Sequence, residues 1–228
     1  RGIMTSGSEE PNAIVQINPD SDRTEPNVRA TEVEIYEGLE ASSQNCWPSV
    51  EFDIGGINNF LSPFFPAGFY YKTFMWPASF WEKYEFFIRH SAGLGKSPTS
   101  SDPDIYDHRN VHCDVLVIGA GISGILAAKN AAKNNFKTLL VDEKNELGGS
   151  TIIENNEFNK IDNKAPSEWL KKEIKELKNI KNLEIKTRTS VAAYHQYNYL
   201  LARENLTDHL EAKDKTNKIR QRLLKIRA

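Results

Sequence analysis

Residues Val115 to Asp142 constrain this chain more than any other stretch, because strand, glycine turn, helix and second strand follow there without interruption. Cys113 to Ile118 is a short β-branched run of the kind found in a strand buried on both faces. Gly119-Ala120-Gly121-Ile122-Ser123-Gly124 comes next, and Ile125 to Asn135 then carries Ala and Lys at helical spacing. Lys137 to Asp142 reads as the following strand. The GxGxxG pattern is weak alone, but in this context it specifies a βαβ unit that holds a dinucleotide. Gly119 allows the tight turn, Gly121 lets the backbone approach a pyrophosphate, and Gly124 lets the helix lie close to the strand. Backbone N–H groups at the helix start face the anion.

Asp142 closes the second strand where an acid accepts hydrogen bonds from an adenosine ribose, and Glu143 is the rival for that role. An acid there repels a 2′-phosphate, which favours NAD or FAD over NADP. Leu147-Gly148-Gly149-Ser150 either brings a loop beside the cofactor or makes a simple turn, and Ser150 would offer its hydroxyl to a phosphate or ribose. His108, His112, His195 and His209 are scattered with no carboxylate or Cys at ligand spacing, so no metal site is expected. Neither a Ser-His-Asp set nor paired carboxylates can be argued, and catalytic residues are unknown at this level.

At 228 residues the chain is long enough for one domain and part of another. Its net charge of -2 supplies no basic field, which argues against a nucleic-acid partner. With no long apolar run, no membrane association is expected, and two widely spaced cysteines, Cys46 and Cys113, suit a reducing cytoplasm. Position 1 is Arg, and Lys218 to Ala228 stops in mid-pattern, so the chain reads as a fragment.

Gly, Ser, Asn and Pro break residues 1–35 into short apolar pieces such as Ala13-Ile14-Val15 and Val33-Glu34-Ile35, as in a small β-containing module. Aromatics crowd between Trp47 and Phe87, most densely from Pro63 to Pro77; they must pack on a neighbouring domain, a subunit, a cofactor or the chain's own core. Gly93 to Asp104 is the linker candidate. Ser167 to Leu177 has an apolar face of Trp169, Leu170, Ile174 and Leu177, with its Lys and Glu residues as a solvated face. Leu183 to Val191, Ala193 to Leu201 and Ile219 to Ile226 read as further strands.

Further stretches carry a resemblance. Arg1 to Ala13, Glu25 to Thr31, Ser43 to Ser49, Pro66 to Pro77, Cys113 to Gly149, Thr187-Arg188-Thr189 with Tyr197-Asn198-Tyr199, and Arg222 to Ala228 closely resemble the alpha subunits of heterotetrameric sarcosine oxidases. The resemblance implies an α/β fold: a Rossmann-like FAD/NAD(P)-binding domain, incomplete at its C-terminus, over 105–228. It would be preceded by the end of a ferredoxin-like module over 1–40 and an aromatic-rich connecting segment over 41–104. Related iron–sulfur modules place cysteines near Gly2 to Gly7, where this chain has Ile3-Met4-Thr5-Ser6, so no cluster is expected there.

The resemblance also implies an assembly with beta, gamma and delta subunits that demethylates sarcosine to glycine with O2 and tetrahydrofolate. FAD and FMN are then expected on the beta subunit, and this chain would hold NAD, in preference to FAD, without catalysing a step. Carried over by position, the NAD contacts would be Gly119, Gly121, Ser123, Gly124, Asp142, Glu143, Lys144, Ser150 and the backbone of Val191. The family usually has Pro-Ala where this chain has Ile122-Ser123. Two other readings compete: a self-sufficient FAD- or NAD-dependent reductase or amine dehydrogenase, and a subunit-interaction module with a structural nucleotide site.

Overall fold

The computed structural model describes residues 14–44, 46, 48–57, 60, 63, 76–91, 93–152 and 160–228. Asp104–Ala228 form one compact unit, and the described residues up to Pro103 belong to another.

In the earlier unit, β1 (Ile14–Ile17) pairs antiparallel with both β2 (Glu25–Arg29) and β3 (Ala41–Ser43). The Val33-Glu34-Ile35 piece is not a strand, and Ile35 is exposed. β2 carries little apolar signal, and side chains fix its course instead. Asn27 sits at φ 62, its N–H donates to Gln44 Oε1, and its Oδ1 accepts from Gly95 N–H at 2.9 Å. Part of the Gly93 to Asp104 stretch is therefore pinned to the sheet.

Helix α1 (Trp81–Ser91) ends the aromatic region. The dense part of that region, 64–75, and Trp47 lie outside the described residues. Phe60, Trp76 and Phe87 leave 83%, 82% and 67% of their surface exposed.

In the later unit, β5 (Val115–Ile118), β6 (Thr138–Val141) and β7 (Leu183–Lys186) form a parallel sheet in the order β5-β6-β7. Between them lie α2 (Ile122–Lys133) and α3 (Pro166–Leu177), since parallel neighbours need crossover connections. Pro166 suits the first turn of α3, where its missing N–H has no partner to lose. Each face of β6 is buried against a different layer. Leu140 packs with Ile125, Ala128, Trp169, Leu170 and Leu177 of the helices. Leu139 and Val141 pack with Leu200, Ala202, Leu224 and Ile226 of a second sheet.

That second sheet has the order β4-β10-β9-β8, built from β4 (Ile105–His112), β8 (Thr189–His195), β9 (Tyr199–Asn205) and β10 (Ile219–Arg227). Two strand expectations change here. The run Leu183 to Val191 is divided at Arg188, whose φ of 51 turns the chain out of the parallel sheet into the second, mixed one. The run Ala193 to Leu201 contains a hairpin turn, closed by left-handed Tyr197 and Asn198. A third difference is β4, whose polar residues give no strand signal; it pairs parallel with β10, and Asp107 accepts from Arg222 Nε at 2.8 Å. Arg220 likewise donates to Asp104 at 2.9 Å.

Trp169, Leu170 and Leu177 are buried as the helical spacing requires, but the all-solvated polar face of α3 needs correction. Glu173 is buried at 4% exposure and accepts from Lys129 Nζ of α2. Among the described residues, no helix is long and apolar enough to cross a membrane.

Candidate functional site

The β5–α2 turn is fixed by steric limits that differ at each glycine. Gly119 holds φ +92, a region that side-chain-bearing residues rarely adopt, and its N–H donates to Val141 O at 2.8 Å. A Cβ at Gly124 would lie 1.9 Å from Gly119 O, so helix and turn can approach this closely only with glycine there. At Gly121, the extended N-cap of α2, a Cβ would meet nothing within 4 Å. That open side is where a bound group can come against the backbone. The first-turn N–H groups of α2 have no acceptor within the helix, and the helix dipole adds partial positive charge there. Ser123 is exposed on that first turn.

The second glycine pair adjoins the first. Gly148 N–H donates to Ala120 O at 2.8 Å, and a Cβ at Gly149 would lie 3.3 Å from Gly121 Cα. The Leu147 to Ser150 loop therefore lies against the glycine turn. Ser150 is exposed in the short 3-10 turn Gly149–Ile152.

Asp142 is buried at the end of β6, and the protein's own backbone uses both of its oxygens. Ala120 N–H donates to Oδ2 at 2.5 Å and Lys144 N–H to Oδ1 at 2.8 Å. Glu143 and Lys144 follow with exposed side chains, Nζ lying 3.5 Å from Oε1. The turn after β7 clamps this loop from the other side: Thr189 N–H donates to Asp142 O and Arg188 N–H to Lys144 O, at 2.8 and 2.9 Å.

The structure thus gathers Gly119, Gly121, Gly124, Asp142, Glu143, Lys144 and the Gly148 to Ser150 loop about one turn. Val191 is carried in β8, paired with Ala202 and packed on the core between the two sheets. Sequence reasoning passed over Ala120, which is fully buried and whose N–H and C=O tie the acid and the second glycine loop to the turn. It also passed over the left-handed Arg188, for which no spacing signal exists. An ADP moiety fits the residues present: open backbone at Gly121, the first-turn N–H groups of α2, and acids beyond β6 for a ribose.

Residues 114–214 match the FAD dependent oxidoreductase family, and residues 1–46 match the 2Fe-2S iron-sulfur cluster binding domain. The latter match does not bring a cluster's ligands with it. Cys46 is the one cysteine in those residues, with its Sγ 3.2 Å from Ser43 Oγ, and a cluster takes about four protein ligands.

Among curated relatives, the sarcosine oxidase subunit alpha of Rhizobium meliloti (strain 1021) is 47% identical over 92% of this chain and 21% of its own length. That of Corynebacterium sp. (strain U-96) is 30% identical over 100% of this chain and 19% of its own length. Of solved structures, L-proline dehydrogenase from P. horikoshii overlays 58% of this chain and 24% of its own, with a TM-score of 0.41 and 19% identity. Along nearly its whole length the chain is similar to the sarcosine oxidase alpha subunits, and it spans about a fifth of the length of the relatives it matches.

Proposed function

We propose that this chain supplies the nucleotide-holding part of an alpha subunit in a sarcosine-oxidising assembly, and that it holds NAD without itself carrying out a chemical step. The observation that carries this reading is the glycine turn with its open face at Gly121, backed by the second glycine loop and followed by two acids. In this reading the helix N–H groups and Ser123 take the pyrophosphate, the acids take the adenosine ribose, and Ser150 borders the phosphates. Val191 would contribute its backbone on the adenine side. Residues 1–40 are then a ferredoxin-like module without a cluster, 41–104 a connecting segment, and 105–228 the dinucleotide-binding domain. Beta, gamma and delta subunits would complete the assembly, with FAD and FMN on beta, in the cytoplasm.

The match of residues 114–214 to FAD dependent oxidoreductases favours a second reading, in which the same turn holds FAD and the subunit is redox-active alone. One variant and one extraction separate the outcomes. Gly121→Ala in the full-length subunit should keep the wild-type melting temperature, because the added Cβ meets nothing within 4 Å, yet lose bound dinucleotide. Mass spectrometry of nucleotide released from the wild type should give NAD. Release of FAD alone supports the second reading, and retention of nucleotide by Gly121→Ala sinks both.

A further inference from the structure

Beside α3 in the later unit lies a cavity of about 710 Å³, lined by the aliphatic side chains of Leu147, Ile152, Leu170, Ile174 and Ile185. Leu147 and Leu170 belong to the core that α2 and α3 make over the parallel sheet, and Ile174 and Ile185 pack on that core while only half-buried. The loop that forms one wall is anchored on both sides. Gly148 N–H donates to Ala120 O at 2.8 Å, and Gly148 lies so close to α3 that a Cβ there would be 2.5 Å from Leu170 Cδ2. Fixed parts therefore hold the cavity open, and its volume falls within the range of small-molecule sites.

Lys171 and Lys178 also line this cavity, two turns apart on one face of α3. Among the described residues neither lysine makes an ion pair, and nor does Glu146, the one acid in the lining. By contrast, Glu173 and Glu176 of the same helix are paired with Lys129, and Lys172 with Glu176. We propose that the cavity binds a medium-chain aliphatic monocarboxylate, with its chain on the Leu147, Leu170 and Ile174 floor and its carboxylate held by the Lys171 and Lys178 ammonium groups. Two lysines against one glutamate leave a single positive charge in excess, which matches one carboxylate. The apolar stems of the lysines suit the join between an aliphatic floor and a charged head. No aromatic ring lines the cavity among the described residues, so a planar base would find nothing to stack on. The proposal stands whichever nucleotide the glycine turn holds.

The test titrates the full-length subunit calorimetrically with octanoate and, as a neutral probe of the same chain length, with octanol. Wild type should bind octanoate about tenfold more tightly than octanol, and hydrogen exchange should slow in Leu147 to Ile152 and in α3 when octanoate is present. The double variant Lys171→Gln, Lys178→Gln should bind octanoate about tenfold more weakly and octanol as wild type does, with its melting temperature unchanged because both side chains are exposed. Ile174→Phe should fill the cavity and exclude both probes. Should that variant fail to fold, the lysine pair alone decides. No binding of octanoate, equal affinity for octanoate and octanol, or octanoate binding that the double lysine variant leaves unchanged overturns the proposal.

Discussion

At Gly124, the space in which any other residue would begin its side chain is taken by the carbonyl oxygen of Gly119, and that oxygen belongs to a turn fixed at φ +92. Gly124→Ala gains helix propensity of about 1 kcal/mol, yet it must separate helix from turn. Overpacking against backbone costs roughly 1–3 kcal/mol, and urea denaturation should show a net loss of stability. Gly121 is the opposite case: its site is open, and a Cβ there meets nothing within 4 Å. The pattern GxGxxG announces that glycines are needed but not which need is steric and which is for a ligand. Asp142 shows the same limit. Its place at the end of β6 was legible in the sequence, but the two backbone donors that occupy it come from Ala120 and Lys144 and are visible only in three dimensions.

Helices α2 and α3 meet across a charged contact as well as an apolar one. Lys129 Nζ donates to the buried Glu173 and lies 2.6 Å from Glu176 Oε2. Burial works to lower the Lys129 pKa, but hydrogen bonds to Glu173 and Glu176 outweigh it and raise the pKa above its ordinary 10.5. A raised lysine contributes stability below its unfolded pKa and loses it only as pH rises through the folded value, so this contact persists at neutral pH. Lys129→Met alone leaves Glu173 buried without a cation and should cost about 3–5 kcal/mol in denaturant unfolding. The double variant Lys129→Met, Glu173→Leu should recover most of that loss; an additive result would argue against a coupled pair. The spacing of Trp169, Leu170 and Leu177 located the face of α3, but no local pattern marks Glu173 as buried, because its partner lies on another helix. The hairpin at Tyr197 and Asn198 escaped notice for a related reason: neither residue is the glycine that usually marks such a turn.

Across the later unit, one chain of charges ties the two sheets together: Lys186 of β7 donates to Glu204 of β9, Arg222 of β10 donates to Glu204, and Arg222 also donates to Asp107 of β4. The Arg222 hydrogen bond holds the Asp107 carboxyl below its ordinary 3.8, with Arg109 and the His108 N–H adding to the effect against a smaller opposing contribution from burial. A lowered carboxylate contributes stability above its unfolded pKa and loses it as pH falls through the folded value. Hydrogen exchange should therefore show protection of β4 amides falling below pH 3.8 before that of β5 and β6, and Asp107→Asn should abolish the pH dependence. Simultaneous loss in all strands would show that this contact does not hold β4. The βαβ unit was readable because its strands, helices and turn lie close in sequence; β4 was not, because its order comes from β10. Synthesis must contend with the same separation. Ile105 pairs with Ile219, so β4 leaves the ribosome long before its partner exists. At about 5–20 residues per second the wait is on the order of ten seconds, during which the polar faces of Asp107, His108, Arg109 and Asn110 keep an unpaired strand soluble.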